Sequence, residues 1–81
     1  MHEYHIIEKA VKEVLEKAKE SGKTKIKKVA LSAGERSGLE EGMVKLHFEV
    51  IAEGTPAEGA EVSVSYVTAG LSGGLRVDSV D

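Results

Sequence analysis

No cysteine occurs anywhere in these 81 residues, and tryptophan is absent as well. Without thiols there can be no disulfide, no thiolate metal site and no cysteine nucleophile, and the composition fits a reducing compartment such as the cytoplasm. One phenylalanine and two tyrosines leave little aromatic surface for stacking bases, which speaks against nucleic acid as a partner. No apolar run approaches the roughly 20 residues that span a bilayer. Met1 to Ala10 also lacks the basic stretch followed by an apolar one that marks a signal peptide, so neither membrane nor export is expected. Nothing supplies a nucleophile–base pair, a phosphate loop or convergent carboxylates, so the chain is not expected to be an enzyme.

What is present suits one small domain. A chain of this length buries only about 60–65% of the surface its unfolded form exposes, so modest stability is expected. The net charge of −3 conceals an asymmetry. Residues 1–28 carry eight lysines against five glutamates, whereas residues 29–81 carry three basic and nine acidic groups. The basic part has acids interleaved and reads as a solvated helix surface.

From about Tyr4 to Glu20 the apolar residues Tyr4, Ile7, Val11, Val14, Leu15 and Ala18 recur at helical spacing. Glu8–Lys12 and Glu13–Lys17 form favourable i,i+4 pairs, and Gly22 suits a left-handed cap. On this wheel His2 and His5 point away from the apolar stripe. Lys25 to Ala33 reads as a strand with Val29, Leu31 and Ala33 on one face. A second helix is expected over about 39–52, opened by a capping box of Ser37 and Glu40 and stopped by Gly54-Thr55-Pro56. Leu39, Met43, Leu46, Val50 and Ile51 would face its core. Phe48 falls outside that stripe, and His47 reads as a core histidine satisfied by a hydrogen bond. Ala60 to Val67 alternates as a half-buried antiparallel strand, and Leu75 to Val80 closes a hairpin with it across the Gly-rich 68–74. The predicted fold class is α+β: a single α-β-α-β-β domain with two helices on one face of a three-stranded sheet.

The candidate site is the opening Met1-His2-Glu3. A free α-amine, the His2 amide nitrogen and the His2 imidazole can close adjacent chelate rings around one ion, and the Glu3 amide would complete a planar four-nitrogen set. That donor set suits Ni(II) or Cu(II). A bulky residue at position 2 should also discourage removal of Met1.

Beyond the terminus, several short motifs stand in register: Met1-His2-Glu3-Tyr4, Gly34-Glu35-Arg36-Ser37-Gly38, Phe48-Glu49-Val50 leading to Glu53-Gly54-Thr55-Pro56, and Glu58-Gly59-Ala60-Glu61. With these the chain resembles the HypA/HybF family of nickel-insertion proteins for [NiFe]-hydrogenase maturation. The closing Leu75-Arg76-Val77-Asp78-Ser79-Val80 is similar to that family's final strand. The resemblance implies a cytoplasmic metallochaperone that binds Ni(II) weakly through Met1, His2 and Glu3. Its implied partners are a HypB-type GTPase and a hydrogenase precursor, with urease maturation in some organisms. His2 would be the indispensable ligand, with Glu35 and Glu40 as candidate supporting groups; His5, one turn from His2 where the family usually carries a small residue, could add an axial nitrogen. The family's zinc domain, built on two Cys-x-x-Cys pairs between the last two strands, has no counterpart here. Residues 68–74 stand in its place, through natural loss or engineered deletion, and no zinc is expected. The reading competes with a metal-independent scaffold that docks the GTPase or precursor. The oligomeric state stays open, with strand exchange through the Gly-rich segment one route to a dimer.

Overall fold

The computed structural model describes residues 2–68 and 74–81, without the side chain of His2. Five elements follow in order: α1 (His2–Glu20), β1 (Lys28–Gly34), α2 (Glu41–Ala52), β2 (Glu61–Val67) and β3 (Leu75–Val80). The two helices pack on one face of a three-stranded sheet, as the sequence pattern predicts.

Helix α1 forms where a single apolar stripe runs unbroken. Ile7, Val11, Val14 and Ala18 are buried, and the intervening Lys and Glu stay in solvent. Its end is a Schellman motif. Gly22 sits at φ 72°, where a side chain would strain the backbone, and the Lys23 and Gly22 amides donate to the carbonyls of Ala18 and Lys19 at 2.8 and 3.1 Å. The expected pairs Glu8–Lys12 and Glu13–Lys17 do not close. Exposed pairs of this kind gain little against side-chain entropy. On this helix the His5 Nδ1 lies instead 3.7 Å from Glu8 Oε1.

Sheet order corrects the sequence reading. The strands lie β2-β1-β3, with β1 in the centre. β2 runs parallel to β1, Val29 opposite Val62 and Leu31 opposite Val64, whereas β3 runs antiparallel along the other side of β1. There is no β2–β3 hairpin, and β2 is not an antiparallel strand. The physical reason is the β1-α2-β2 order. A strand followed by a helix and another strand returns in the same direction, through a crossover of a dozen or more residues. β2 ends and β3 begins at the same end of the sheet but on opposite sides of β1. With neighbouring strands about 4.8 Å apart, segment 68–74 joins points separated by roughly 10 Å.

Helix α2 differs from expectation in start and phase. It begins at Glu41, and its cap residue Glu40 is extended and makes no side-chain capping bond. Ser37 instead accepts the Leu39 amide at 3.2 Å. The chain stays extended there because Leu39 is buried in the core and its carbonyl receives the Tyr66 hydroxyl at 2.8 Å. The buried residues are Val44, Phe48 and Ala52, while Leu46 and Val50 are 59% and 52% exposed. This helix is apolar on two arcs, and tertiary packing selects the arc that contains the largest side chain. Phe48, 1% exposed, anchors the core together with Leu31, Val29 and Ile7.

The end of α2 folds into a compact turn. Gly54 takes φ 77°, and the Thr55 hydroxyl donates to the Ala52 carbonyl at 2.6 Å while accepting the Ala57 amide at 3.1 Å. Pro56 then offers its carbonyl to Ile26 at 2.9 Å, which ties this turn to the segment that leads into β1.

Candidate metal-binding terminus

Helical geometry begins at His2, so the amides at the start of α1 belong to a first turn with no intrahelical acceptor. Coordination through the amides of His2 and Glu3 would therefore break no helix hydrogen bond. Met1 and the His2 side chain lie outside the described residues; Glu3 is described and exposed.

The surroundings of this turn come from three distant parts of the chain. A Cβ built on Gly74 would lie 3.6 Å from the Ser37 Cβ, 3.8 Å from Leu39 Cδ1 and 3.9 Å from Ile6 Cδ1. The Gly34 amide reaches the Gly74 carbonyl at 3.3 Å, and the Glu35 amide reaches the Val67 carbonyl at 2.9 Å. The opening turn of α1, the 34–40 loop and the start of β3 thus share one end of the molecule. Glu35 and Glu40 belong to this end, as the family resemblance implies, and both are exposed. His5 is exposed and turned toward Glu8. Among the described residues, no three His, Cys, Asp or Glu side chains converge to hold an ion.

His47 occupies the seam between the helices. Its ring lies 5.9 Å from that of Tyr4, edge to face at 67°, and it is half-buried as the sequence suggests. The expected hydrogen bond is missing, however: Nδ1 is buried with no partner. The aromatic contact with Tyr4 orients the ring in its place.

The sequence reading missed a polar cluster on the sheet face away from the helices. Ser32, only 3% exposed, donates its hydroxyl to Asp78, and Arg76 Nε donates to the other Asp78 oxygen at 2.8 Å. The Ser32 hydrogen bond, helped by Arg76, holds the Asp78 carboxyl below its ordinary range. The register between β1 and β3 slips between Ala30 and Leu31, which leaves Asp78 as the extra residue of a β-bulge. No sequence signal marks a bulge, because it depends on which strand lies opposite.

A small α+β domain with two helices on one face of a mixed three-stranded sheet defines the class. The family model described as "Hydrogenase/urease nickel incorporation, metallochaperone, hypA" matches residues 1–72, and the chain belongs to this HypA family. Hydrogenase maturation factor HypA of Caldanaerobacter subterraneus subsp. tengcongensis is 36% identical over 69 residues, covering 85% of this chain and 60% of that protein. The HypA of Chlorobaculum tepidum is 41% identical over 64 residues, covering 79% and 57%. The factor HybF of Salmonella typhimurium is 32% identical over 66 residues, covering 82% and 58%. The chain therefore spans somewhat under two thirds of the length of these curated relatives. The solution structure of the Ni metallochaperone HypA from Helicobacter pylori superposes with a TM-score of 0.82 at 18% identity, covering 100% of this chain and 97% of that one, which establishes a common fold.

Proposed function

We propose that residues 1–81 form a nickel-binding domain that holds Ni(II) at its amino terminus for hydrogenase maturation, with urease maturation a further outlet. The carrying observation is the continuous family match that starts at the terminal Met1-His2-Glu3 itself. The α-amine of Met1, the imidazole and amide of His2 and the amide of Glu3 are the proposed donors, a set suited to tetragonal Ni(II). Nickel is cargo here, so the binding must be reversible. A chelate built from consecutive terminal residues, which requires no folded cage, meets that need. Segment 68–74 occupies the place where the family carries its zinc domain. Delivery runs to a HypB-type GTPase and a hydrogenase precursor.

Each donor must lose a proton before it coordinates, so affinity rises with pH. We expect Ni(II) binding to weaken sharply between about pH 7.5 and about pH 6, across the ordinary ranges of imidazole and α-amine. Constant affinity across that window in a calorimetric titration would contradict the terminal chelate. His2→Ala should abolish binding with no change in circular dichroism. The decisive control is a version with two extra residues before Met1. Loss of binding on extension supports the terminal site, whereas equal binding moves the ion into the folded body. Partner capture that persists in the presence of a chelator would favour a scaffold that needs no metal.

A further inference from the structure

The free edge of β2 borders a groove of about 530 Å³ between that strand and α2. Its floor includes Phe48, Ala57 and Val62, and its rim carries Glu49, Glu53, Glu58 and Glu61. The one cation of the lining, Lys45, is drawn toward Glu41 at 3.2 Å. The groove is therefore apolar at its base and strongly negative at its mouth.

The strand beside it presents unused hydrogen-bonding capacity. The Glu61 amide donates to the Lys27 carbonyl, and the Val67 carbonyl accepts the Glu35 amide, so the odd-numbered residues of β2 direct their backbone groups toward β1 and its flanks. By strand alternation Val62, Val64 and Tyr66 direct theirs to the open side, where β2 has no neighbouring strand among the described residues. An unpaired edge of this kind is a template for another strand.

We propose that this edge receives an extended, lysine- or arginine-bearing segment of a partner protein. The segment adds to β2 as a fourth strand and lays every second side chain across the groove. Lysine and arginine fit both parts of the site, because their aliphatic stems lie along the apolar base while their charged heads reach Glu49 and Glu53. A second copy of this chain fits poorly, since edge-to-edge pairing of two β2 strands would bring eight carboxylates together. The assignment is independent of nickel.

The test is an NMR titration of isotopically labelled protein with a capped heptapeptide of alternating lysine and threonine. Expected are shifts centred on the amides of Val62, Val64 and Tyr66, weakening as salt is raised. The same peptide N-methylated at alternate residues should lose binding, because it can no longer form the ladder. The Glu49→Gln/Glu53→Gln double variant should bind about tenfold more weakly, while Glu16→Gln on α1 leaves affinity unchanged. Equal binding by the N-methylated peptide, shifts centred elsewhere, or no shift at millimolar peptide would overturn the proposal. So would self-association of the protein through β2 in sedimentation runs at the same concentration.

Discussion

The two edges of the sheet are built to opposite specifications. At β3 the strand is bulged at Asp78, and Arg76 and Ser32 converge on that carboxylate. At β2 the register runs without interruption from Glu61 to Val67, and an open groove lies between strand and helix. Bulges and paired charges are devices that stop a sheet from growing. The edge with such a device is closed to further pairing. The other is guarded only by the sign of its charge, and charge admits a partner of opposite sign.

The largest effect on this comparison should come from Phe48, which belongs to the core and to the floor of the open edge at once. Phe48→Ala should cost about 3–5 kcal/mol, read from denaturant unfolding, and blur the two edges together by loosening α2. A cost below about 1 kcal/mol would mean that Phe48 does not anchor the helix. At the closed edge, Asp78→Ala should cost about 1 kcal/mol, since it removes one hydrogen bond to a buried hydroxyl and a partly screened ion pair. The folded carboxyl titrates below its unfolded value near 4, so its stabilisation is present above about pH 4 and is lost as pH falls through the folded value. Wild-type protein should therefore lose more stability than Asp78→Asn on acidification below that point. Parallel acid profiles would remove the bulge carboxylate from the account. Smallest of all, Leu46→Lys on the exposed arc of α2 should change stability by no more than about 0.5 kcal/mol by thermal melting. A larger loss would mean that the arc is covered.

How much of this was legible in the sequence follows from which residues carry it. Helix α1 was readable because Ile7, Val11, Val14 and Ala18 offer one stripe and no rival. In α2 the residues Met43, Leu46 and Val50 compete with Val44, Phe48 and Ala52, and only packing decides between the two arcs. The error in phase hid the groove, because Glu49 and Glu53 border it only when Phe48 turns inward. Alternation in β2 revealed its faces but not its neighbours. The pairing was encoded one level up, in the order strand, helix, strand. The proposed terminal chelate rests on three residues alone, since its donors would be adjacent in the chain and need no fold to bring them together. The Asp78 cluster was not, because Ser32 and Asp78 lie 46 positions apart.

The central position of β1 also sets a timetable. Its parallel neighbour arrives only after α2 has been made, and its antiparallel neighbour is the last of the three strands to be synthesised. Until β3 emerges, one side of β1 has no strand to pair with, and Val29 and Leu31 lack their partners Val80 and Val77. Sheet completion must then draw together residues more than 40 positions apart, a slow class of event compared with helix formation. A nascent chain halted before Leu75 would hold two helices and a two-stranded parallel sheet with an unprotected seam. Such a species is the one on which a holdase, or an aggregating neighbour, would act first.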